Sequence, residues 1–331
     1  MSTNRESTAV APPIRGLTRR QRIAVVRDYG VVIAFLGLFA TLSIASGVFM
    51  SKANLTNLAF QAAPIGIMAI GGTLVFIAGG FDLSVGAVSA FAGIIAAKAF
   101  IGTGLGLGLA LTLGALTGLG FGIGNGLLVT VGRVNAFIAT LATAIIIRGV
   151  AIAITGGFLV SVPDERFTIL GLGVTGGINH PIFVWLGFAL LCGFLLSRTT
   201  FGRYVYAVGG NPEAARLSGV RLGLIRAATF ALSGLSGGIA GVILASEVQT
   251  AQADANPGIE FDAITAIVLG GTSILGGEGA VWRSVLGAFF LQMIGNGFNL
   301  LNVQVVYQQV FKGVILATAV ALDAWGRQTR E

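Results

Sequence analysis

The stretch AFIATLATAIIIRGVAIAIT, residues 136–155, carries a single charged side chain, and apolar runs of similar character recur along most of the chain. A helix needs about 20 such residues to cross the hydrocarbon core of a bilayer. The run does not alternate polar and apolar positions, as the strands of a membrane barrel must. A helix satisfies its backbone hydrogen bonds within one segment, so helices are the structures these runs can form in lipid. The chain therefore reads as an all-α, polytopic membrane protein. Composition agrees: 55% of the 331 residues are hydrophobic and only 10% are charged, against about 25% charged in soluble domains. The 51 glycines lie within the apolar runs rather than in linkers. That distribution suits transmembrane helices whose backbones approach closely.

Ten spans are predicted, at 29–50, 62–79, 84–101, 105–131, 136–155, 181–197, 227–247, 261–276, 284–302 and 307–325. The second, third and eighth are short and broken by glycine, so the count ranges from eight to ten. Basic residues concentrate on the cytoplasmic side of membrane proteins. With ten spans and both termini inside, 15 of the 20 basic residues fall in inner segments, and only Lys52 and Arg166 in outer ones. The net charge of +7 is thus a topology signal rather than a mark of nucleic-acid binding. The domain reading is a basic cytoplasmic tail at 1–28, a transmembrane domain at 29–325 and a short cytoplasmic tail at 326–331. The N-terminal tail has no early apolar core of the kind a cleaved signal peptide needs; it reads as disordered, with a short basic amphipathic piece near Gln21. The segments 156–180 and 248–260 are external loops, suited to an extracytoplasmic partner or simply solvated. The largest inner loop, 198–226, carries five basic residues.

Ionisable groups inside a membrane need partners or an exit to water. Lys98 and Lys312 lie near span ends and are expected to snorkel to the interface. Arg148 lies deeper and either snorkels or pairs within the bundle. In AGGFDLSVGA, residues 78–87, two glycines break a span, and Asp82 and Ser84 precede the next helix. The positive end of that helix favours a carboxylate. The element reads as a capped helical hairpin and also as a broken helix lining a path, since irregular backbone survives at membrane depth only where protein or water satisfies it. The candidate path lining comprises Asn57, Gln61, Asp82, Ser84, Asn125, Asn135, Arg148, Asn296 and Asn299; Gln249 belongs to the same set of amides. Such amides suit a neutral, hydroxyl-rich solute, and they also serve as glue between helices. There is an internal echo between AIGGTLVFIAGGFDLSVGAVSAF from Ala69 and VLGGTSILGGEGAVWRSVLGAFF from Val268. A duplication and chance similarity in glycine-rich sequence both explain it.

The one histidine, His180, lies before Pro181, and the one cysteine, Cys192, lies within an apolar run and reads as a buried structural thiol. No His, Cys or carboxylate cluster has metal-ligand spacing, and no phosphate-binding Gly-x4-Gly-Lys-Ser/Thr sequence is present. No metal or cofactor is expected on the chain, and no catalytic residue. Nucleotide-driven work would need ATP handled by another chain. A proton-coupled carrier would hold several acids within its spans, whereas Asp82, Glu247 and Asp323 lie at span ends.

The inner loop contains GGNPEAARLSGV, residues 209–220. Asn211 can cap a helix whose first position is Pro212. Glu213 falls in the first turn, where the helix dipole favours it. Ala214 and Ala215 keep one face low in bulk for a partner's groove, Arg216 follows, and Gly219 ends the helix. The loop TTFGRYVYAVGGNPEAARLSGVRLGLIR closely resembles the cytoplasmic loop of permease subunits of ribose-type monosaccharide ABC importers. GGFDLSVGAVSAFAGIIAA, FIATLATAIIIRGVAIAITGG, EFDAITAIVLGGTSILGGEG and NGFNLLNV resemble the same family, so the likeness runs from about Asn54 to Asp323. Phe81, where the family usually has Ile, and Pro212 are departures. The resemblance implies that the Glu-Ala-Ala element docks into a partner ATPase. It implies a homodimeric or two-permease membrane domain, a periplasmic or lipid-anchored sugar-binding protein, alternating access, and location in the bacterial cytoplasmic membrane. The alternatives are an ABC permease for nucleosides or branched-chain amino acids, and an ion-coupled secondary carrier.

Overall fold

The computed structural model describes residues 19–103 and 105–328. Among these residues there are thirteen α-helices. They are α1 (Arg19–Ala45), α2 (Lys52–Ile77), α3 (Val85–Gly102), α4 (Leu107–Thr130), α5 (Ala136–Thr155), α6 (Ile169–Leu172), α7 (His180–Arg198), α8 (Thr200–Gly210), α9 (Pro212–Leu217), α10 (Leu222–Val248), α11 (Ile259–Leu269), α12 (Val281–Leu300) and α13 (Val305–Gln328). Six of them, α2, α3, α4, α5, α7 and α10, are long and apolar enough to cross a membrane. The protein is an all-α membrane protein, as the sequence predicts.

Two helices form the centre. The α2 helix is buried on nearly every side from Ala62 to Ile77, and α10 packs against α2, α3 and α4. Around α2 stand α7, α11 and α12, while α5, α13 and α1 lie further out. The α4–α10 contact shows why glycine is spread through the runs. Gly114, Gly118, Gly122 and Gly126 recur every fourth residue and so share one face of α4. Gly118, Gly122 and Gly126 meet the backbone of α10 directly, and Gly114 the side chain of Val242: a β-carbon at Gly118 would stand 2.6 Å from Gly238 Cα. Helices in lipid associate through such close packing, because lipid tails offer no hydrophobic incentive to bury one more apolar side chain. The opposite faces of α4 and α5 carry exposed Leu113, Leu116, Ile145 and Ile146, as a lipid-facing surface requires.

Several helices differ from their predicted limits. The α2 helix begins ten residues early, at Lys52, because Ser51 caps it by accepting a hydrogen bond from Asn54 N at 3.2 Å. Its first three turns carry Asn54, Asn57 and Gln61, which hide the helix from an apolar count. The α1 helix begins at Arg19, inside the segment read as a tail; residues 1–18 and 329–331 of the two tails lie outside the described residues. The helix expected over 261–276 ends at Leu269 and has 11 residues, about 16 Å at 1.5 Å per residue. Gly270 and Gly271 end it, Gly271 with φ +75°. Turns fill the interval before α12.

The loops at 156–180 and 248–260 join each other. Val160–Ser161 pairs antiparallel with Thr250–Ala251. His180 is held within its own loop, Nδ1 to Ile169 O at 2.6 Å and Nε2 to Thr175 Oγ1 at 2.9 Å. Cys192 is buried. The two stretches of the internal echo differ in conformation: Gly71, Gly72 and Thr73 lie within the last two turns of α2, whereas Gly270, Gly271 and Thr272 form a turn after α11.

Candidate functional site

The loop 198–226 folds into two helices with one shared residue. Asn211 ends α8 and caps α9, its Oδ1 accepting from Ala214 N at 3.0 Å. Pro212 takes the first position and Glu213 the first turn. Gly219 has φ +80°, the left-handed conformation that glycine adopts without a steric penalty. Arg216 Nη2 lies 2.6 Å from Glu213 Oε1, so the two charges are clamped on one face of the peg. Leu217 is 76% exposed, while Ala215 is 5% exposed. Of the two alanines thought to keep a face open, only Ala214 is presented; Ala215 turns inward and anchors the peg. Leu217 is thus exposed beside the paired Glu213 and Arg216.

The candidate path residues separate into distinct groups. Asp82, Ser84 and Asn125 come together in a buried network. Asp82 Oδ1 accepts from Ser84 N at 2.9 Å and from Ser84 Oγ at 2.6 Å, and Asp82 Oδ2 accepts from Ser233 Oγ at 2.7 Å. Asn125 Nδ2 donates to Ser84 Oγ at 2.8 Å, and Leu83 N donates to Thr140 Oγ1 at 3.1 Å. Ser84 stands at the N-cap position of α3 but makes no side-chain cap; its own N–H donates to Asp82 Oδ1. The network ties the 78–84 linker to α3, α4, α5 and α10, and so satisfies irregular backbone inside the bundle.

A second group lines one seam between α2, α12 and α13. Asn57 Oδ1 accepts from Gln61 Nε2 at 3.2 Å, and Gln61 Oε1 accepts from Gln292 Nε2 at 2.6 Å. Asn296 and Asn54 exchange hydrogen bonds at 2.8 and 3.2 Å, and Asn299 Oδ1 accepts from Gln308 Nε2 at 2.9 Å. Asn57, Gln61 and Asn299 are exposed. Sequence reasoning missed Asn54, Gln292 and Gln308. The signal was spacing: Asn54, Asn57, Gln61 and Gln292, Asn296, Asn299 each mark one helix face at three- and four-residue steps.

The remaining residues stand apart. Asn135 caps α5, accepting from Phe137 N at 3.0 Å. It lines a cavity of about 750 Å³ with Arg133 and Arg226. Arg148 Nη2 lies 3.8 Å from Glu260 Oε1, which resolves its two readings in favour of pairing. Lys312 also pairs: its Nζ lies 2.8 Å from Asp262 Oδ2. The snorkelling expected for Lys312 is therefore replaced by an ion pair. The reason is that α11 places Glu260 and Asp262 in its first turn, where its dipole favours acids, between α5 and α13. Lys98 is exposed, as expected of a snorkelling side chain. Gln249 sits at the left-handed end of α10, φ +54°. Among the described residues no group of His, Cys, Asp or Glu could hold a metal ion.

The geometry defines the class: an all-α membrane bundle with a polar amide seam and a short capped helix on the loop 198–226. The family described as the branched-chain amino acid transport system permease component matches residues 54–320, and the chain belongs to that family. The ribose import permease protein RbsC of Escherichia coli K12 is 38% identical over 303 residues, covering 88% of this chain and 92% of that protein. RbsC of Bacillus subtilis 168 is 40% identical, covering 87% and 91%. The L-arabinose ABC transporter permease protein AraH of Azospirillum brasilense is 37% identical, covering 92% and 90%. No solved structure matches the chain.

Proposed function

We infer that this chain is the membrane permease subunit of an ABC importer for a monosaccharide, a pentose or hexose, in the bacterial cytoplasmic membrane. The observation that carries the reading is the peg. A six-residue helix, capped at Asn211 and ended at Gly219, projects Glu213, Arg216 and Leu217 from the bundle. The sugar permeases RbsC and AraH, similar over nearly their whole length, supply the substrate class. ATP binds a separate ATPase that grips the peg, and a solute-binding protein delivers the sugar on the opposite face. No chemistry occurs on this chain. Ten crossings, with the 11-residue α11 as a short broken one, would put both termini and the peg in the cytoplasm and the paired 156–180 and 248–260 loops outside.

The path lies along the amide seam. Exposed amides are costly against lipid and are retained where they face protein or a wet cavity. Asn57, Gln61 and Asn299 therefore face a second permease copy or paralogue across a shared channel. The buried Asp82, Ser84 and Asn125 hold the inner hairpin in shape, and Asn135 stands at the inner mouth. The test is ATP hydrolysis by the reconstituted transporter across pentoses, hexoses, nucleosides and leucine. Stimulation by one or more monosaccharides is expected. Stimulation by leucine or a nucleoside alone would replace the sugar reading with one of the other ABC import classes.

A further inference from the structure

The base of the peg meets the end of α2 and the glycine turn that leads into α12 at one point. Gly209 and Gly210 end α8, Ile77 ends α2, and Gly276 to Gly279 lead into α12. Gly277 N donates to Ile77 O at 2.8 Å. A β-carbon at Gly209 would collide with the Ile77 carbonyl oxygen and stand 2.7 Å from Gly277 N. One at Gly276 would stand 2.9 Å from Gly79 Cα, and one at Gly277 would stand 2.7 Å from Gly210 Cα. Three backbone segments thus touch with no side chain between them. A directed bond closes the same junction from another side, as Tyr206 Oη donates to Gly279 O at 2.7 Å. Val205 and Val208 are wholly buried, so α8 is seated in the bundle rather than hung from it.

We propose that this junction, formed by Tyr206, Gly209, Gly276 and Gly277, is the relay that converts displacement of α9 into displacement of α2 and α12 together. Tyr206 and Gly209 are positioning residues for transport. The inference rests on the importer reading above. Backbone-to-backbone contact suits a relay because it leaves no rotatable side chain to absorb the motion. Only Asn211 lies between α8 and α9, and its N–H is bonded to Ala207 O, so displacement of the peg pulls on the end of α8. The two helices that receive the motion carry Gln61 and Gln292 at their joined polar seam. Gln61 lies 16 residues, about 24 Å at 1.5 Å per residue, from Ile77.

The experiment uses the complete transporter, with ATPase and binding protein, in proteoliposomes. D-Ribose and L-arabinose are the probes, and the readout is sugar taken up per ATP hydrolysed. Tyr206→Phe removes one oxygen and no packing. The complex should assemble and hydrolyse ATP at the unmodified rate, while sugar per ATP falls about fivefold, the factor that one hydrogen bond is worth. Gly209→Ala should lower the ratio further, because its methyl pushes α8 away from α2. An unchanged ratio in Tyr206→Phe overturns the relay. So does loss of the ATPase from the purified Tyr206→Phe complex, since the contact would then build the dock rather than transmit its motion. Failure of the importer reading looks different: the unmodified transporter would take up no pentose or hexose with ATP present, or Glu213→Ala would leave uptake intact.

Discussion

Gly118 and Gly120 lie on the same turn of α4 and face opposite ways, which makes them a matched pair. A methyl group at Gly118 would meet the α10 backbone, 2.6 Å from Gly238 Cα and 2.7 Å from Gly238 N. Real carbon contacts lie near 3.5–4.0 Å, so the helices must part by roughly 1 Å along that seam. Forcing extra volume into a well-packed contact costs about 1–3 kcal/mol. The obstruction here is rigid backbone, which places Gly118→Ala at the upper end. With a midpoint change of about 2 °C per kcal/mol in a chain of this size, the melting midpoint in detergent should fall by several degrees. A methyl group at Gly120 meets nothing within 4 Å. Gly120→Ala gains helix propensity, about 1 kcal/mol in an exposed helix, so its midpoint should hold or rise. The assay is thermal unfolding of the two purified variants in one detergent, followed by tryptophan fluorescence. Equal losses in both variants would refute the argument that backbone contact, rather than glycine content, holds α4 to α10.

Asn211→Ala removes the cap of α9 and should cost about 1 kcal/mol of peg stability, seen as faster hydrogen exchange at Ala214. Gly219→Ala forces a β-carbon into the left-handed region at about 1–2 kcal/mol although the space around it is open; Gly219→Asn should retain more uptake than Gly219→Ala. A double-mutant cycle on Asp262 and Lys312 should give a coupling on the order of 1 kcal/mol, as partly exposed pairs do, whereas a coupling near zero would return Lys312 to a membrane anchor. Arg166 holds the Asp164 carboxyl below its ordinary value, first by a side-chain hydrogen bond. A lowered carboxylate pKa stabilises the loop above the ordinary carboxylate range and loses that effect as pH falls through the lowered value. The protection of the Arg166 amide, with exchange corrected for its intrinsic base catalysis, should therefore stay flat from pH 7 to about pH 5, and Asp164→Asn should lower it throughout.

The peg was legible because its signals are local: Asn, Pro, Glu and Gly occupy cap, first-turn and terminating positions that a helix of any origin would use. The early start of α2 was not, because Asn54, Asn57 and Gln61 look polar to an apolar count while satisfying one another and α12 across the seam. The short α11 was hidden for a related reason. Residues 261–276 are apolar enough to span, and only the left-handed turn at Gly271 and the packing of Gly270 on the Arg283 backbone end the helix. The pairing of Lys312 with Asp262 joins residues 50 positions apart. It depends on where α13 lands beside α11, which no spacing rule supplies. The glycine junction is of the same kind, since its partners come from α2, α8 and the segment before α12.

The most direct measurement is sugar uptake into proteoliposomes holding this chain with and without its ATPase. Uptake of D-ribose or L-arabinose should require the ATPase, the binding protein and ATP together, and a proton or sodium gradient alone should drive none. Accumulation by the chain alone under an ion gradient, with no ATP present, would contradict an importer powered through the peg.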